Sequence, residues 1–310
     1  MFMDAMSDIL RMIRLTGVVY FRSDFTKPWG MNINKSHVAQ FHLVARGRCY
    51  LYIEDADEMV ELIAGDAVVF PHGGAHWLAD EPDRKRISGK KVVASIQENE
   101  PIFQDGEDVC TTLVCGHFEF SRDIEHPFIE ALPKFIHVSD TAQRQFSWLE
   151  NATKVIFQET DSGNPGAEVV AERLAEVLFI QLLRSYIVSR GGEEEGFLTA
   201  LNDRDISNAL KLMHSMPEEP WTLNSISKKI GMSRSSFAER FKHYVGITPM
   251  DYLTKWRMQR ARDLLSNSDL SLSVISRKIG YTSEPAFNRA FKKQFKETPG
   301  ALRRAVSNSI

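Results

Sequence analysis

Leu223-Asn-Ser-Ile-Ser-Lys-Lys-Ile-Gly231-Met-Ser233-Arg-Ser-Ser-Phe237-Ala-Glu-Arg-Phe241 is written again further along the chain as Leu272-Ser-Val-Ile-Ser-Arg-Lys-Ile-Gly280-Tyr-Thr-Ser283-Glu-Pro-Ala-Phe287-Asn-Arg-Ala-Phe291. Leu223, Ile226, Ile230 and Gly231 recur 49 residues on as Leu272, Ile275, Ile279 and Gly280. Phe237, Phe241 and Thr248-Pro249 recur 50 residues on as Phe287, Phe291 and Thr298-Pro299, so one extra residue sits in the second turn. Each copy reads as a short apolar-periodic helix, a glycine, a polar N-cap and a second helix, the pattern of a helix-turn-helix.

The local physics agrees in both copies. Leu223, Ile226 and Ile230 share one helical stripe. Gly231 then falls where helices end in left-handed geometry, which glycine adopts without a Cβ penalty. Ser233 is the expected N-cap of the next helix. Phe237, Phe241 and Tyr244 or Val245 are its expected buried stripe, and Gly246 stops it. In the second copy Gly280, Ser283, and Phe287, Phe291 and Phe295 take these places. Pro285 is tolerated because the first helical turn has no partner for its missing N–H.

Charge is distributed unevenly. Residues 201–310 hold 19 Lys and Arg against 10 Asp and Glu, a net of +9, whereas residues 1–200 hold 19 against 31, a net of −12. A basic C-terminal domain on an acidic partner suggests nucleic-acid binding confined to the former.

Residues from about 205 to 305 resemble the DNA-binding domain of AraC/XylS-type transcription regulators. The strings carrying the resemblance are 231–242, 246–265 and 279–292. In that family two helix-turn-helix units are joined by a long central helix, here Pro249 to about Ser266, with Met250, Leu253, Ala261, Leu264 and Leu265 as apolar positions. The resemblance implies that the two recognition helices enter successive major grooves. Bases are read from the N-terminal turns of such helices, and phosphates are held by flanking basic residues and helix N-termini. In the first unit Arg234, Ser235, Ala238 and Glu239 point outward, and the resemblance puts Ser235, Ala238 and Glu239 at base-reading positions. Glu239 either accepts from a cytosine amino group or lies on a solvated face. In the second unit Glu284, Asn288 and Arg289 project, with Arg289 the best candidate for a bidentate guanine contact. Ser233, Lys242, Ser283, Lys292 and Lys293 are the expected phosphate contacts.

The first 200 residues read differently. Val18–Phe21, Phe41–Val44, Cys49–Ile53, Ala67–Phe70 and Thr111–Val114 are β-branched or aromatic-rich. Turn signals separate them at Arg46-Gly47, Ala64-Gly65-Asp66 and Pro71-His72-Gly73-Gly74, which implies a sandwich or small barrel. Glu61–His76 resembles the second conserved stretch of a cupin barrel, and His37–Gly47 the first. With Phe25–Gly30 and Leu113–His117, they are similar to the cupin sensor domain that precedes some AraC-type DNA-binding domains.

His37, His42, His72, His76 and His117 fall in this barrel. Cupin enzymes hold a metal with histidines from these stretches, commonly with a glutamate, and a metal needs three or four converging ligands. The first stretch lacks the spaced His-x-His and the following Glu, and His37 and His42, five apart, face opposite sides of one strand. No metal or other cofactor is therefore expected. His37, His42, His72, His76, Trp77 and His117 are instead candidates for an effector pocket. Cys49, Cys110 and Cys115 give no disulfide framework. Cys110 and Cys115 are either a redox pair or small buried hydrophobes.

After Pro133 the pattern is helical, from Gln143 to about Thr160 and from Pro165 to about Ser189. Val170, Leu174, Val177, Leu178, Leu182 and Ile187 form a broad stripe that either packs within the chain or meets a second copy. Gly191–Gly196 reads as a flexible linker. The expected organisation is multidomain: a cupin-like β-barrel sensing domain at 1–137, a helical dimerisation pair at 138–190, a linker at 191–203 and an all-α double helix-turn-helix domain at 204–310. The expected protein is no enzyme but a homodimeric regulator that binds double-stranded DNA. It answers to a small-molecule effector in the barrel and engages RNA polymerase, activation being the family's commoner habit. No signal peptide and no long apolar run are evident, so a cytoplasmic location without membrane contact is expected. The alternatives are a metal-dependent cupin enzyme fused to a DNA-binding module and a cysteine-based redox-sensing regulator.

Overall fold

The computed structural model describes residues 4–106, 108–121, 126–139, 147–189 and 196–307. In chain order the elements are α1 (Ala5–Ile13), β1 (Thr16–Thr26), β2 (Gly30–Ile33), β3 (Ala39–Ile53), β4 (Glu58–Ile63), β5 (Ala67–Phe70), β6 (His76–Ala79), β7 (Ile87–Ser88), α2 (Gly89–Gln97), β8 (Val109–Glu119), α3 (Pro127–Glu130) and β9 (Ile136–Val138). The remainder is helical: α4 (Ser147–Ser162), α5 (Ala167–Ser189), α6 (Phe197–Asn202), α7 (Arg204–Ser215), α8 (Leu223–Lys229), α9 (Arg234–Val245), α10 (Pro249–Asn267), α11 (Leu272–Lys278), α12 (Glu284–Phe295) and α13 (Pro299–Ser307). Of the linker expected at 191–203, residues 191–195 lie outside the described residues, as does the start of the helix expected at Gln143, while Phe197–Asn202 is helical.

The chain divides into two compact units. One holds Leu15–Ser121 and Leu132–Arg190, and the other Met1–Arg14, Arg122–Ala131 and Gly191–Ile310. The N-terminal helix α1 and the short α3 thus lie with the C-terminal helices, although the sequence places them beside the strands.

The first unit is a curled, cupin-like sheet whose main path runs β1-β8-β3-β6-β2-β7, with β4 and β5 on β3 and β9 on β5. Its axis is β3, a 15-residue strand. The front half of β3 pairs with β8 and β5, and its back half with β4 and β6. Arg46-Gly47, a turn signal in the sequence, lies inside this one strand, paired with Thr112 and Thr111 just after a bulge between Val44 and Arg46. Gly47 has φ +76°, and a Cβ there would stand 1.8 Å from the Cys110 carbonyl oxygen, so glycine lets the strand bend without parting from β8. The interior is filled by Phe21, Phe25, Trp29, Leu51, Phe70 and Leu113 among others. On the outer side Phe41 stacks on Phe118 at 4.7 Å, and Phe118 meets Phe179 of α5 at 5.0 Å. Gly17 brings α5 close, since a Cβ there would lie 2.9 Å from the Glu172 carbonyl oxygen. Ala171, Ala175, Leu178, Phe179, Leu182 and Leu183 are the buried stripe of α5, whereas Val169, Val170, Val177 and Val188 are exposed.

Among the described residues the second unit has only helices. Ser233 accepts from Ser236 N–H and caps α9, and Ser283 accepts from Ala286 N–H and caps α12. Thr248 caps α10 by accepting from Asp251 N–H, with Pro249 in the first turn. Gly231, Gly246 and Gly280 all have positive φ. Phe237, Phe241 and Val245 are buried on α9, and Phe287 and Phe291 on α12. The α10 strut buries Leu253, Ala261 and Leu265, and also Tyr252, Trp256, Met258 and Gln259. Its Arg257 donates to the Pro217 and Glu219 carbonyls at 2.7 and 2.8 Å, tying the loop before α8 to the strut.

Candidate nucleic-acid interface and barrel interior

The two-helix units α8–α9 and α11–α12 stand at the two ends of α10, and each second helix turns a buried aromatic stripe inward and a polar face outward. On α9, Arg234, Ser235 and Glu239 are exposed and Ala238 is half-buried. On α12, Glu284 and Arg289 are exposed. Asn288 is half-buried, and its Oδ1 is buried without a hydrogen-bond partner. Lys242, Lys292 and Lys293 are exposed at the C-terminal ends of these helices. The hydroxyls of Ser233 and Ser283 are engaged as caps, so an approaching phosphate meets the N–H groups of those first turns beside them.

Beneath α9, a buried polar chain anchors the strut. His126 Nδ1 accepts from Phe128 N–H at 3.1 Å, so its Nε2 carries the proton and donates to the Tyr252 hydroxyl at 3.1 Å. Tyr252 in turn donates to His214 Nε2 at 2.7 Å. Burial holds His126 down at about 3 and His214 well below the ordinary imidazole range, so both are neutral. These residues carry no sequence signal of their partnership, because they come from α10, α7 and the turn before α3.

In the barrel the structure brings together only two of the six effector candidates. His42 Nε2 lies 2.8 Å from His76 Nε2, His42 Nδ1 3.0 Å from Cys115 Sγ, and His76 Nδ1 2.7 Å from the Gly74 carbonyl oxygen. The carbonyl can only accept, so His76 Nδ1 bears the hydrogen. Its Nε2 then accepts from His42 Nε2–H, and His42 Nδ1 accepts from the Cys115 thiol. Every proton in the chain is thereby assigned to a neutral group. Burial pushes His76 down to about 4, His42 well below its usual value and the Cys115 thiol well up. Phe70 stacks on His76 at 3.8 Å and closes the cluster.

The other candidates lie elsewhere. His37 precedes β3 and is exposed. His72 is also exposed and meets the Leu132 carbonyl at 2.8 Å. Trp77 faces the other side of β6, stacked on Tyr52 at 5.6 Å under the Arg86 guanidinium. His117 stacks on Tyr20 at 5.0 Å with Glu119 3.3 Å away. Cys110 and Cys115 share β8 but point to different partners, Cys110 to the Phe25 carbonyl and Cys115 to His42. Of the two sequence readings, a Cys110–Cys115 redox pair or small buried hydrophobes, the burial of Cys115 fits the second. The neighbour of Cys115, His42, sits opposite it in the β3–β8 register, which spacing along the chain cannot reveal. Both ring nitrogens of His42 are committed to different neighbours. Among the described residues no three His, Cys, Asp or Glu side chains are placed to hold a metal ion.

A family described as Cupin matches residues 4–188, and one described as Helix-turn-helix domain matches residues 226–305. The chain is 30% identical over 306 residues to the HTH-type transcriptional regulator AlkR of Acinetobacter baylyi, covering 96% of this chain and 98% of that one. It is 28% identical over 304 residues to a putative AraC-like transcription regulator of Streptomyces lividans, covering 97% and 98%. With the RCS-specific HTH-type transcriptional activator RclR of Escherichia coli it shares 27% identity over 309 residues, covering 98% of each.

Proposed function

The chain belongs to the AraC-like helix-turn-helix transcriptional regulators that carry an N-terminal cupin domain, and from that we propose that it activates transcription by reading two DNA segments, one with α9 and one with α12. The observation carrying this reading is the pair of outward polar helix faces at the two ends of one strut, in a unit of strongly positive charge. Arg289 reads a guanine, Asn288 and Glu284 adjoin it, and Arg234, Ser235, Ala238 and Glu239 make the poorer contacts of the first segment. Lys242, Lys292 and Lys293 hold phosphates together with the helix N-termini at Ser233 and Ser283. The name of the E. coli relative supports activation, and with it contact with RNA polymerase.

The regulator works as a homodimer through α5. The exposed Val170, Val177 and Val188 are spaced to share one face of a helix whose other face is already packed on the sheet. An effector in the barrel controls it from the cytoplasm. No helix among the described residues is long and apolar enough to cross a membrane. An effector that engages His42 or His76 has to break their mutual hydrogen bond or move Phe70. The cysteine reading has less support: a buried thiol held protonated is a poor nucleophile, and Cys115 is in that state.

Selection of duplexes from a random pool by the full chain tests the reading. Enrichment of a two-part motif supports it, and binding that never exceeds the affinity for unselected duplex refutes it.

A further inference from the structure

Within the helical unit, α1, α7, α10 and α11 enclose an open cleft of about 620 Å³. This volume falls in the range of small-molecule sites, about 300–1,000 Å³. Its cationic side chains come from three separate elements: Arg11 from α1, Arg260 from α10, and Arg277 and Lys278 from α11. Asp8 and Glu218 are the acidic residues in the wall, which leaves two positive charges in excess. Asp8 is drawn toward Arg11 at 3.7 Å and Arg260 toward Asp263 at 3.6 Å. The apolar part of the wall is Pro217, Leu264 and Ile279. Three further polar atoms of lining residues are buried with no hydrogen-bond partner: the Trp256 indole N–H, on a residue 2% exposed overall, and Asp8 Oδ2 and His214 Nδ1, which stand 3.9 Å from each other.

Chemistry narrows what fits. Arginine, lysine and the indole nitrogen donate and never accept. Four of the six charged groups are therefore donors, and so are two of the three orphaned atoms, the Trp256 indole N–H and His214 Nδ1–H. Buried polar atoms in folded proteins are nearly always paired, so an unpaired indole N–H beside a cationic cleft asks for an acceptor-rich guest. Charge-assisted bonds from guanidinium to carboxylate or phosphate are the strong version of that contact.

We propose that this cleft is a binding site for a small acid whose carboxylate or phosphate oxyanion is held by Arg11, Arg260, Arg277 and Lys278, with its apolar part against Leu264 and Ile279. The site is separate from the barrel and does not depend on an effector there. The same oxyanion chemistry has a second source in the DNA backbone, because α11 is the first helix of the second helix-turn-helix.

Calorimetric titration of the full chain with sodium benzoate, inorganic phosphate and the neutral isostere benzamide tests the proposal. The expected result is saturable binding of at least one of the anions, one per chain, and none of benzamide. Arg260→Gln and Arg11→Gln each weaken the anion about tenfold or more. Their affinity for an unselected duplex and its salt dependence stay as in the parent. Absence of saturable anion binding, equal binding of benzamide, or unchanged anion affinity in both folded variants overturns the proposal. A loss of duplex affinity with a shallower salt dependence in these variants assigns the cleft to DNA phosphate and overturns it as well.

Discussion

His42 Nε2 stands 2.8 Å from His76 Nε2, and neither ring carries a charge. Burial makes the neutral forms the folded ones, so the unfolded chain binds protons more readily than the folded chain below about pH 6.5. Stability is therefore complete above that pH and is lost as pH falls toward 4, where His76 itself titrates. Holding this ring at about 4 instead of 6.5 corresponds to roughly 3 kcal/mol at most. His126, held at about 3, acts with the same sign in the helical unit. Urea unfolding at several pH values is expected to show the midpoint falling steadily between about pH 6.5 and pH 4. A flat profile contradicts the assignment of neutral rings.

Gly231 and Gly280 occupy equivalent turns and both have positive φ, but their surroundings differ. A Cβ on Gly231 meets nothing within 4 Å, whereas one on Gly280 would stand 2.6 Å from the Arg257 guanidinium and 2.7 Å from the Pro217 carbonyl. Gly231→Ala bears only the left-handed strain, about 1–2 kcal/mol. Gly280→Ala adds a clash with a hydrogen-bonded pair, about 1–3 kcal/mol more. Thermal unfolding of the two variants is expected to rank them in that order.

The turns and stripes of the helical unit were legible in sequence because short-range rules govern them. Glycine, N-cap and aromatic spacing fix each helix-turn-helix within some twenty residues. Two things were not legible. β3 was read as two strands, because Gly47 signals a turn wherever it stands and only the neighbouring Cys110 carbonyl shows that the chain bends instead. The polar clusters His42–His76–Cys115 and His126–Tyr252–His214 depend on strand register and helix packing, which local pattern does not encode. The placement of α1 against α7 and α10 is of the same kind.

The two recognition helices are unequal readers. Arg289→Ala is expected to cost about 1–3 kcal/mol of discrimination between the selected duplex and a scrambled one. Ser235→Ala costs much less, because a serine hydroxyl makes a weaker and less selective base contact than a bidentate guanidinium. Fluorescence anisotropy with both duplexes measures this, and equal losses would show that the asymmetry was misread.

Lys292 and Lys293 act on the backbone and not on bases. Replacing either with glutamine is expected to lower the salt slope of log K by about 0.9 while leaving the ratio of specific to unspecific affinity unchanged. Titrations across a salt series check this directly, and a change in that ratio assigns the lysine to base reading instead.

Hydroxyl-radical footprinting of the full chain on a selected duplex tests the central claim most directly. Two recognition helices on one strut predict two protected segments per protein copy, on one face of the duplex and about one helical turn, roughly 34 Å, apart. Arg289→Ala should fade one segment and leave the other. A single protected segment per copy, or protection indifferent to sequence, would contradict the account.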